Sequence, residues 1–348
     1  MNPQHIVHVA DYGNRAPGSF VPAILALAQE LQAAGDRCSL IVKHVEAAVW
    51  HEEASRSLHS LAVASTPAEV FAQTWRAEPD VVHVHFSGWA FPATAAAYAR
   101  GARVIWHLHS AMDNRRGGGL RHLARRGKYA WFGAGVDRFV AVSATLREAM
   151  VEAGAAPERT VLLRNAVDAK RFRVPALRER RAIRDSLGIS ENDRVALFFG
   201  RDITVKGADV LWRALEGSPP IVLLTVGTPP EAVAEFSRRV RTIALPFVVD
   251  TVPLYWASDV LVMPSRYEAA PYTMLEALCS GVPVIASDIA PLAEIAAQAP
   301  GIRLVANEPA SVANALRGNW EERGLAEAAR ERFGLERWVA EMRSLYAA

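Results

Sequence analysis

The chain has 348 residues, of which 51% are hydrophobic and 22% are charged, and its formal net charge at pH 7 is +2. This length exceeds that of most single hydrophobic cores, so it predicts a globular protein of two domains. The small net charge argues against a general nucleic-acid-binding protein. Cys38 and Cys279, the only cysteines, cannot form a disulfide framework and fit a reducing compartment.

The first residues lack the cationic segment of a secretory signal, and no apolar run is long enough to span a bilayer. We therefore expect a cytoplasmic protein.

The N-terminal half alternates short apolar strands with helices. A strand at 5–10 is followed by a loop that contains Gly18 and Ser19, and then by a helix at 20–34. Further strands are predicted at 37–42, 80–85, 103–109, 138–142 and 160–163. Near-continuous apolar strands separated by helices are typical of a parallel, doubly wound sheet.

The arginine-rich stretch 168–190 predicts a linker with a polar helix, and a second alternation of strands and helices follows it. A helical tail is predicted from 325 to 346. The sequence thus predicts an α/β fold of two Rossmann-like, doubly wound parallel-sheet domains that face each other across a cleft. The strands of the second domain are predicted at 194–199, 221–226, near Phe247, at 259–263 and at 282–286.

Two carboxylates, Glu268 and Glu276, flank a turn of small residues and the start of a helix after the strand at 259–263. Ligands of open α/β sheets lie beyond the carboxyl ends of the strands. The pair therefore predicts contacts with the hydroxyl groups of a polar ligand. A plain electrostatic role at a helix N-terminus is the alternative.

Two cations, Arg201 and Lys206, lie in the loop after the strand at 194–199 and predict a diphosphate site, with solvated surface cations as the alternative. Gly18 and Ser19 precede a helix and form a generic anion loop, without the G-x-G-x-x-G dinucleotide motif. The chain contains no Asp-x-Asp sequence that would hold a metal on a nucleotide diphosphate.

Histidines two apart on a strand share one face, as His83 and His85 do, and also His107 and His109. No cysteine or carboxylate at ligand spacing completes a metal set, so we predict no metal site. We expect His109 to lie at the edge of the cleft. Core packing is the plain alternative for His83 and His85.

The segment 115–132 is strongly basic and also contains apolar residues, which predicts contact with an anionic membrane surface or with an acidic acceptor. A solvated helix face is the alternative. Its cations are Arg115, Arg116, Arg121, Arg125, Arg126 and Lys128.

Together and in this order, the motifs resemble those of the family 4 retaining glycosyltransferases of the GT-B fold, over essentially the whole chain. The matching segments are the E-x7-E motif from Glu268 to Glu276, Gly200-Arg201 with Lys206-Gly207 as a G-R-x4-K-G loop, and Arg164 to Asp168 at the domain junction. The resemblance implies an N-terminal acceptor-side domain (1–167), a linker (168–190) and a C-terminal nucleotide-sugar-binding domain (191–330). It leaves open whether the C-terminal helix (331–348) crosses back to the N-terminal domain.

The resemblance implies transfer of a hexose-type sugar from a nucleotide-diphosphate donor to an unknown acceptor, with retention of configuration and without cofactor or metal. UDP is expected over GDP as the commoner donor of the family. The implied catalytic residues are Glu268, His109, Arg201 and Lys206. The implied donor-binding residues are Gly18, Ser19, Arg201, Lys206, Glu268, Ala270, Tyr272, Thr273 and Glu276.

The chain departs from the family pattern in ways that leave the donor sugar open. Ser19 replaces a glycine, and Ala269-Ala270-Pro271 replaces the common Gly-Phe-Gly. A sugar-nucleotide epimerase or phosphorylase of similar architecture, or a non-catalytic nucleotide-sugar-binding protein, are the alternatives. The expected partners are a nucleotide sugar and a carbohydrate, lipid-linked or small-molecule acceptor. Peripheral contact with the inner face of the membrane through 115–132 is a further expectation, and no nucleic acid is expected.

Overall fold

The computed structural model of the chain describes residues 3–44, 48–110, 112, 127–129, 133–216, 218–320 and 324–347. The chain divides into two compact units. Unit 1 comprises Met1–Asn165 together with Leu335–Ala348, and unit 2 comprises Ala166–Gly334.

Unit 1 contains a parallel sheet that has seven strands within the described residues, in the order β3-β2-β1-β4-β5-β6-β7. The strands are β1 (His5–Ala10), β2 (Arg37–Lys43), β3 (Ser60–Ala64), β4 (Val81–His85), β5 (Arg103–Leu108), β6 (Arg138–Ala141) and β7 (Thr160–Leu162). The helices between them are α1 (Phe20–Ala33), α2 (His51–Ser57), α3 (Pro67–Arg76), α4 (Ala90–Arg100) and α5 (Ala144–Glu152).

Unit 2 repeats this plan with a parallel sheet that has six strands in the part of the chain described, in the order β10-β9-β8-β11-β12-β13. The strands are β8 (Val195–Phe199), β9 (Val222–Val226), β10 (Arg241–Leu245), β11 (Val260–Met263), β12 (Val284–Ser287) and β13 (Ile302–Val305). The helices are α6 (Leu177–Ser186), α7 (Ala208–Ala214), α8 (Pro230–Ser237), α9 (Val252–Ala257), α10 (Tyr272–Cys279), α11 (Ala290–Ala296), α12 (Pro309–Arg317) and α13 (Leu325–Phe333).

The prediction of two doubly wound parallel sheets is confirmed. In each sheet the strand order reverses once, between β1 and β4 in unit 1 and between β8 and β11 in unit 2. At such a point the two following loops run to opposite sides, which leaves a crevice at the carboxyl ends of the strands. The central strands β1, β4 and β9 are buried along their whole length, as their continuous apolar runs predict.

Three of the strands that border the sheets differ from the predictions, whereas β7 lies where a strand was expected. β3 and β13 were not predicted, and the strand expected near Phe247 lies earlier, as β10. Phe247 itself is outside the sheet and exposed. β3, β10 and β13 are short and only partly buried, and each contains a polar residue, so they lack the buried apolar run that marks a central strand.

The tail predicted as a helix from 325 to 346 is two helices that belong to different units. Gly334 separates α13 in unit 2 from α14 (Leu335–Ala347) in unit 1. The backbone N–H of Val167 donates to the carbonyl of Phe333 at 2.9 Å, and this bridge takes up a carbonyl at the end of α13. Trp338 and Met342 of α14 are buried, as their spacing predicts.

Among the residues that the structure describes, no helix is long and apolar enough to cross a membrane.

Candidate functional site

The charged residues singled out in unit 2 lie where the strand order of its sheet reverses. Arg201 and Lys206 follow β8, and Glu268 follows β11, which is the neighbouring parallel strand. The carboxyl ends of adjacent parallel strands meet at one edge of the sheet, so loops 62 residues apart in sequence come together there.

Lys206 and Glu268 form a direct ion pair. The Lys206 ammonium donates a hydrogen bond to Oε1 of Glu268 at 2.6 Å, and the hydroxyl of Ser265 donates to the same oxygen at 2.8 Å. The Glu268 side chain is only 9% exposed, whereas that of Lys206 is 28% exposed. Within the described residues both contacts fall on Oε1, which leaves Oε2 available to a ligand hydroxyl.

The loop that carries Lys206 is fixed in place by its backbone. Gly207 has a φ of +68°, and a Cβ atom at this position would lie 1.9 Å from the carbonyl oxygen of Pro264. Only glycine allows this approach. Earlier in the loop, Oδ1 of Asp202 accepts a hydrogen bond from the backbone N–H of Val205 at 2.9 Å.

A second ion pair ties this loop to the loop after β11. The guanidinium of Arg266 donates to both carboxylate oxygens of Asp209, at 2.7 and 2.6 Å, and to the carbonyl of Thr204 at 2.8 Å. Hydrogen bonding from Arg266 is the main cause that lowers the pKa of Asp209. This pair holds Lys206 and Glu268 at a fixed separation.

Arg201 is exposed at the beginning of the same loop. Its guanidinium has no hydrogen-bond or ion-pair partner among the described residues, whereas Lys206 is already paired. An unpaired guanidinium beside a sheet edge can bind an anionic group in two-point fashion.

Glu276 lies deeper, on α10, and is 6% exposed. The phenol of Tyr255 donates to its Oε2 at 2.8 Å. Burial, and then the charge of Glu276, raise the pKa of Tyr255 well above its usual value, so the phenol stays protonated and remains a donor. The tyrosine orients the carboxylate from the side of the core.

The turn between the two acids leads directly into α10. Pro271 precedes the first helical residue, Tyr272, so the missing N–H of the proline is at the helix N-terminus. Ala270 is buried, and Tyr272 and Thr273 are partly exposed. α10 begins four residues after Glu268, so its N-terminus follows the loop that carries this carboxylate.

In unit 1, Gly18 and Ser19 form the turn into α1, as predicted. Gly18 has a φ of +55°, and a Cβ atom there would lie 2.9 Å from the phenol oxygen of Tyr12. That phenol donates to the carbonyl of Pro17 at 3.0 Å and fixes the turn. Ser19 is 4% exposed whereas Gly18 is exposed, so the glycine is the part of this turn that faces outward.

His109 lies just beyond the end of β5 and lines a cavity of about 190 Å³ within unit 1. Its Nε2 shares a hydrogen bond with Nδ1 of His85 at 3.1 Å. Burial lowers the pKa of His109 to about 3, so the imidazole is neutral at physiological pH. A neutral ring hydrogen-bonds and positions a ligand but supplies no positive charge. The cavity is lined by Phe86, Ser87, Leu108, His109, Ser110, Met112, Lys128 and Tyr129.

The sequence predictions do not include two features of this cavity, the backbone conformation of Phe86 and the partial burial of Lys128. Phe86, directly after β4, has a φ of +64°, which is rare for a residue with a side chain and typical of functional sites. Lys128 is half-buried, with its ammonium 5.2 Å from the ring centre of Trp106, and burial lowers its pKa. Most of the basic segment 115–132 lies outside the described residues, including Arg115, Arg116, Arg121, Arg125 and Arg126.

The structure therefore brings Arg201, Lys206, Glu268 and Glu276 to one edge in unit 2, and Gly18, Ser19 and His109 to the corresponding edge in unit 1. Sequence reasoning missed the residues that position them, which are Ser265, Tyr255, Asp209 and Arg266. For Ser265, its place three residues before Glu268 was an available signal. The pairing of Arg266 with Asp209 joins residues 57 apart and leaves no local signal.

Two protein-family models match the chain and together cover most of it. The model described as glycosyl transferases group 1 matches residues 179–333, and the model described as glycosyltransferase family 4 matches residues 23–171.

Curated relatives have related descriptions. A D-inositol 3-phosphate glycosyltransferase of Geodermatophilus obscurus is 31% identical over 239 residues, which are 62% of this chain and 52% of the relative. A glycogen synthase of Mycobacterium tuberculosis is 27% identical over 281 residues, 75% of this chain and 65% of the relative. The chain thus spans about half to two thirds of the length of these curated relatives.

Solved structures share the fold over nearly the whole chain. HepE of Anabaena, in complex with UDP and glucose, has a TM-score of 0.82 at 18% identity and 99% coverage of both chains. A glycosyltransferase of Rickettsia africae has a TM-score of 0.79 at 15% identity, covering 99% of this chain and 98% of the other. The solved structures show the GT-B fold, and the two family models together establish that the chain belongs to glycosyltransferase family 4, the retaining glycosyltransferases.

Proposed function

We propose that the protein transfers a hexose-type sugar from a nucleotide-diphosphate donor to an acceptor, with retention of anomeric configuration and without a metal. The observation that carries the proposal is the Lys206–Glu268 ion pair, with the unpaired Arg201 beside it, at the point where the strand order of the unit 2 sheet reverses. This arrangement puts cations for a diphosphate next to a carboxylate for sugar hydroxyls.

The cations act on the leaving group. As the bond from the anomeric carbon to the diphosphate oxygen breaks, negative charge grows on the diphosphate. Lys206 uses one hydrogen bond on Glu268 and keeps two N–H groups for phosphate oxygens, and Arg201 offers its guanidinium. Fixed cations that meet growing charge lower the barrier by preorganised electrostatics.

Glu268 acts as a positioning residue in this proposal. Its Oε1 is taken up by Lys206 and Ser265, so Oε2 would accept a hydrogen bond from a hydroxyl of the donor sugar. The acceptor oxygen attacks from the side of the leaving group, and its proton passes to a phosphate oxygen. No carboxylate is then needed as a nucleophile, unlike in retaining glycoside hydrolases.

The nucleoside is assigned to Glu276, whose carboxylate would accept hydrogen bonds from the ribose hydroxyls while Tyr255 holds it. We favour UDP over GDP as the carrier, because HepE, which shares the fold, was solved in complex with UDP-glucose.

The acceptor side is proposed for unit 1, where His109 and Lys128 line one cavity. The acceptor is a carbohydrate, a lipid-linked sugar or a small molecule. Contact of segment 115–132 with an anionic membrane rests on the sequence alone. Replacing Arg125 and Arg126 with serine should abolish binding to anionic liposomes, and full retention of binding would exclude this contact.

The test of the function is turnover of a panel of UDP-, GDP- and ADP-sugars, with hydrolysis and transfer to simple acceptors measured separately. We expect one donor class to release its nucleotide, and Lys206→Ala to abolish release while Lys170→Ala, an exposed lysine of the same unit, leaves it intact. If the Lys206→Ala chain releases the nucleotide as fast as the wild-type chain, the proposal is contradicted.

The same panel separates the alternatives. An epimerase would interconvert sugars on an intact nucleotide, and a phosphorylase would need inorganic phosphate as a substrate. A non-catalytic protein would bind one donor without release. The two matching family models favour transfer over these alternatives, since both describe glycosyltransferases.

A further inference from the structure

Five histidines lie together on one buried face of the unit 1 sheet. They come from three adjacent strands, and His8 pairs in register with His83, as His85 does with His107. All except His109 are fully buried. The five are His8 on β1, His83 and His85 on β4, His107 on β5 and His109 just after it.

The hydrogen bonds within this group leave ring nitrogens unpaired. His85 shares one bond with His8, at 2.8 Å, and one with His109, at 3.1 Å. Neither nitrogen of His107 has a partner among the described residues. Since a neutral imidazole carries one N–H, His107 buries both an unpaired donor and an unpaired acceptor, and each of them lowers the stability of the fold.

Nitrogens of three of these rings lie close enough together to share one metal ion, which would replace the hydrogen bond between His85 and His109. One nitrogen each of His85, His107 and His109 lie within 4.8 Å of one another. The 3.1 Å between Nδ1 of His85 and Nε2 of His109 is close to the separation of about 3.3 Å that two ligands have on a tetrahedral Zn²⁺ with Zn–N bonds of 2.0–2.1 Å.

The outer nitrogen of His85 has the contact expected around a metal site, since its Nε2 shares a hydrogen bond with Nδ1 of His8 at 2.8 Å. Partners of this kind orient metal-bound imidazoles and fix their tautomers. Burial lowers the pKa of His107 and His109, so their lone pairs are free at neutral pH.

A second set, His8, His83 and His85, also converges within 4.8 Å. It is fully buried, and one nitrogen of His83 already bonds to the phenol of Tyr346 at 2.8 Å. The set that contains His109 adjoins the cavity, which supplies a path for the ion and room for a fourth ligand. The set of His85, His107 and His109 is therefore the stronger candidate for a metal site.

We propose that His85, His107 and His109 bind one Zn²⁺ ion, with the fourth position open to the cavity beside His109. Three neutral imidazoles leave the ion with its full charge, and the ammonium of Lys128 lines the same cavity. Both favour an anionic fourth ligand, such as hydroxide. The ion takes no part in the transfer proposed above, in which Arg201 and Lys206 offset the charge of the diphosphate. The metal would occupy the nitrogen of His109 that faces His85, so loading would fix the orientation of that ring.

The site is tested by metal binding alone, independently of transfer. The full chain, freed of metal with a chelator, is titrated with Zn²⁺ by calorimetry and with Co²⁺ by visible absorption. We expect one ion per chain and a tetrahedral Co²⁺ spectrum. His107→Leu should weaken binding by at least about tenfold, and His44→Gln, an exposed histidine of the same unit, should leave it unchanged.

Several outcomes would overturn the site. The first is that the folded wild-type chain binds no Zn²⁺, and the second is that His107→Leu binds Zn²⁺ as tightly as the wild-type chain. The third is that His83→Gln weakens Zn²⁺ binding while His107→Leu does not. If His107→Leu fails to fold, X-ray absorption on the zinc-loaded wild-type chain decides the question. Three imidazoles at 2.0–2.1 Å are expected, and a spectrum with fewer than three excludes the proposed ligand set.

Discussion

Lys206 combines two tasks at the candidate site, since it neutralises a nearly buried carboxylate and points its remaining N–H groups outward. Lys206→Met keeps the length of the side chain and removes the charge. We expect the turnover number to fall by about 10²–10³, the usual effect of removing one group that stabilises transition-state charge. The measurement is donor turnover at saturating donor.

A matched control separates chemistry from folding. Loss of Lys206 leaves Glu268 without its cation, so the melting temperature is measured alongside the turnover. Lys170→Met should match the wild-type chain in both respects, because Lys170 is exposed. A Lys206→Met protein that turns over within twofold of wild type would remove this residue from the reaction.

Tyr255 provides a different test, because its phenol holds the buried carboxylate of Glu276. Tyr255→Phe removes one hydrogen bond to a charged group, so we expect a loss of about 1–3 kcal/mol in the free energy of unfolding. We also expect the donor KM to rise more than the turnover number falls. An unchanged KM would separate Glu276 from donor binding; Tyr98→Phe, at an exposed tyrosine, is the control.

At the scale of elements, the two loops that carry Lys206 and Glu268 touch through Gly207. Gly207→Ala puts a residue with a side chain into the left-handed region of backbone angles, which costs free energy, and its Cβ atom clashes with the carbonyl oxygen of Pro264. Gly227 in the same unit has a φ of +63° with nothing within 4 Å of its Cβ position, so Gly227→Ala carries the backbone penalty alone.

We therefore expect Gly207→Ala to lower the free energy of unfolding by more than Gly227→Ala, which should cost about 1–3 kcal/mol. Urea denaturation of both variants measures the difference. Equal losses would mean that the Pro264 carbonyl moves away freely and that the loop is not fixed at this point.

The elements that sequence predicts well are those whose environment is uniform. Central strands such as β1 and β9 are covered on both faces, so a run of apolar residues marks them. The border strands β3, β10 and β13 have one open side and mixed burial, and their sequences resemble those of loops. Gly334 is another such case, since only the bridge between Val167 and Gly334 distinguishes the end of a helix from a tolerated glycine within one.

The candidate site divides in the same way. The sequence singled out Glu268, Glu276, Arg201 and Lys206, because they belong to motifs of fixed spacing, and the structure brings them to one edge of the unit 2 sheet. The residues that position them were not predicted. Tyr255 and Arg266 make contacts between distant parts of the chain, so no fixed spacing in sequence reveals them. The histidine group was noticed only as pairs, since the sequence does not reveal that β1 lies beside β4 and β4 beside β5.

At the scale of the whole molecule, the histidine group makes stability depend on pH. Burial lowers the pKa of His8 to about 3, against an ordinary value of 6.5 in the unfolded chain. Between these values the unfolded chain binds a proton that the folded chain does not, so stability falls as the pH drops below 6.5 and is level above it. His8 alone should cost about 2 kcal/mol between pH 7 and pH 5.

The measurement is hydrogen exchange of the slowest amides in β1, β4 and β5, corrected for the intrinsic rate, at pH 7 and pH 5. From pH 7 to pH 5 the free energy of unfolding of the wild-type chain should fall by at least about 2 kcal/mol, the amount expected from His8. The lowered pKa values of His83, His85 and His107 add to the fall in the same direction. His8→Leu should lose about 2 kcal/mol less than wild type. His59→Leu, at an exposed histidine, should keep the full loss of stability.

The pH range from 5 to 7 lies above the usual pKa of carboxylates, so protonation of aspartate and glutamate does not cause this loss. A loss that is the same in His8→Leu and in wild type would mean that the buried rings take up protons without opening the sheet.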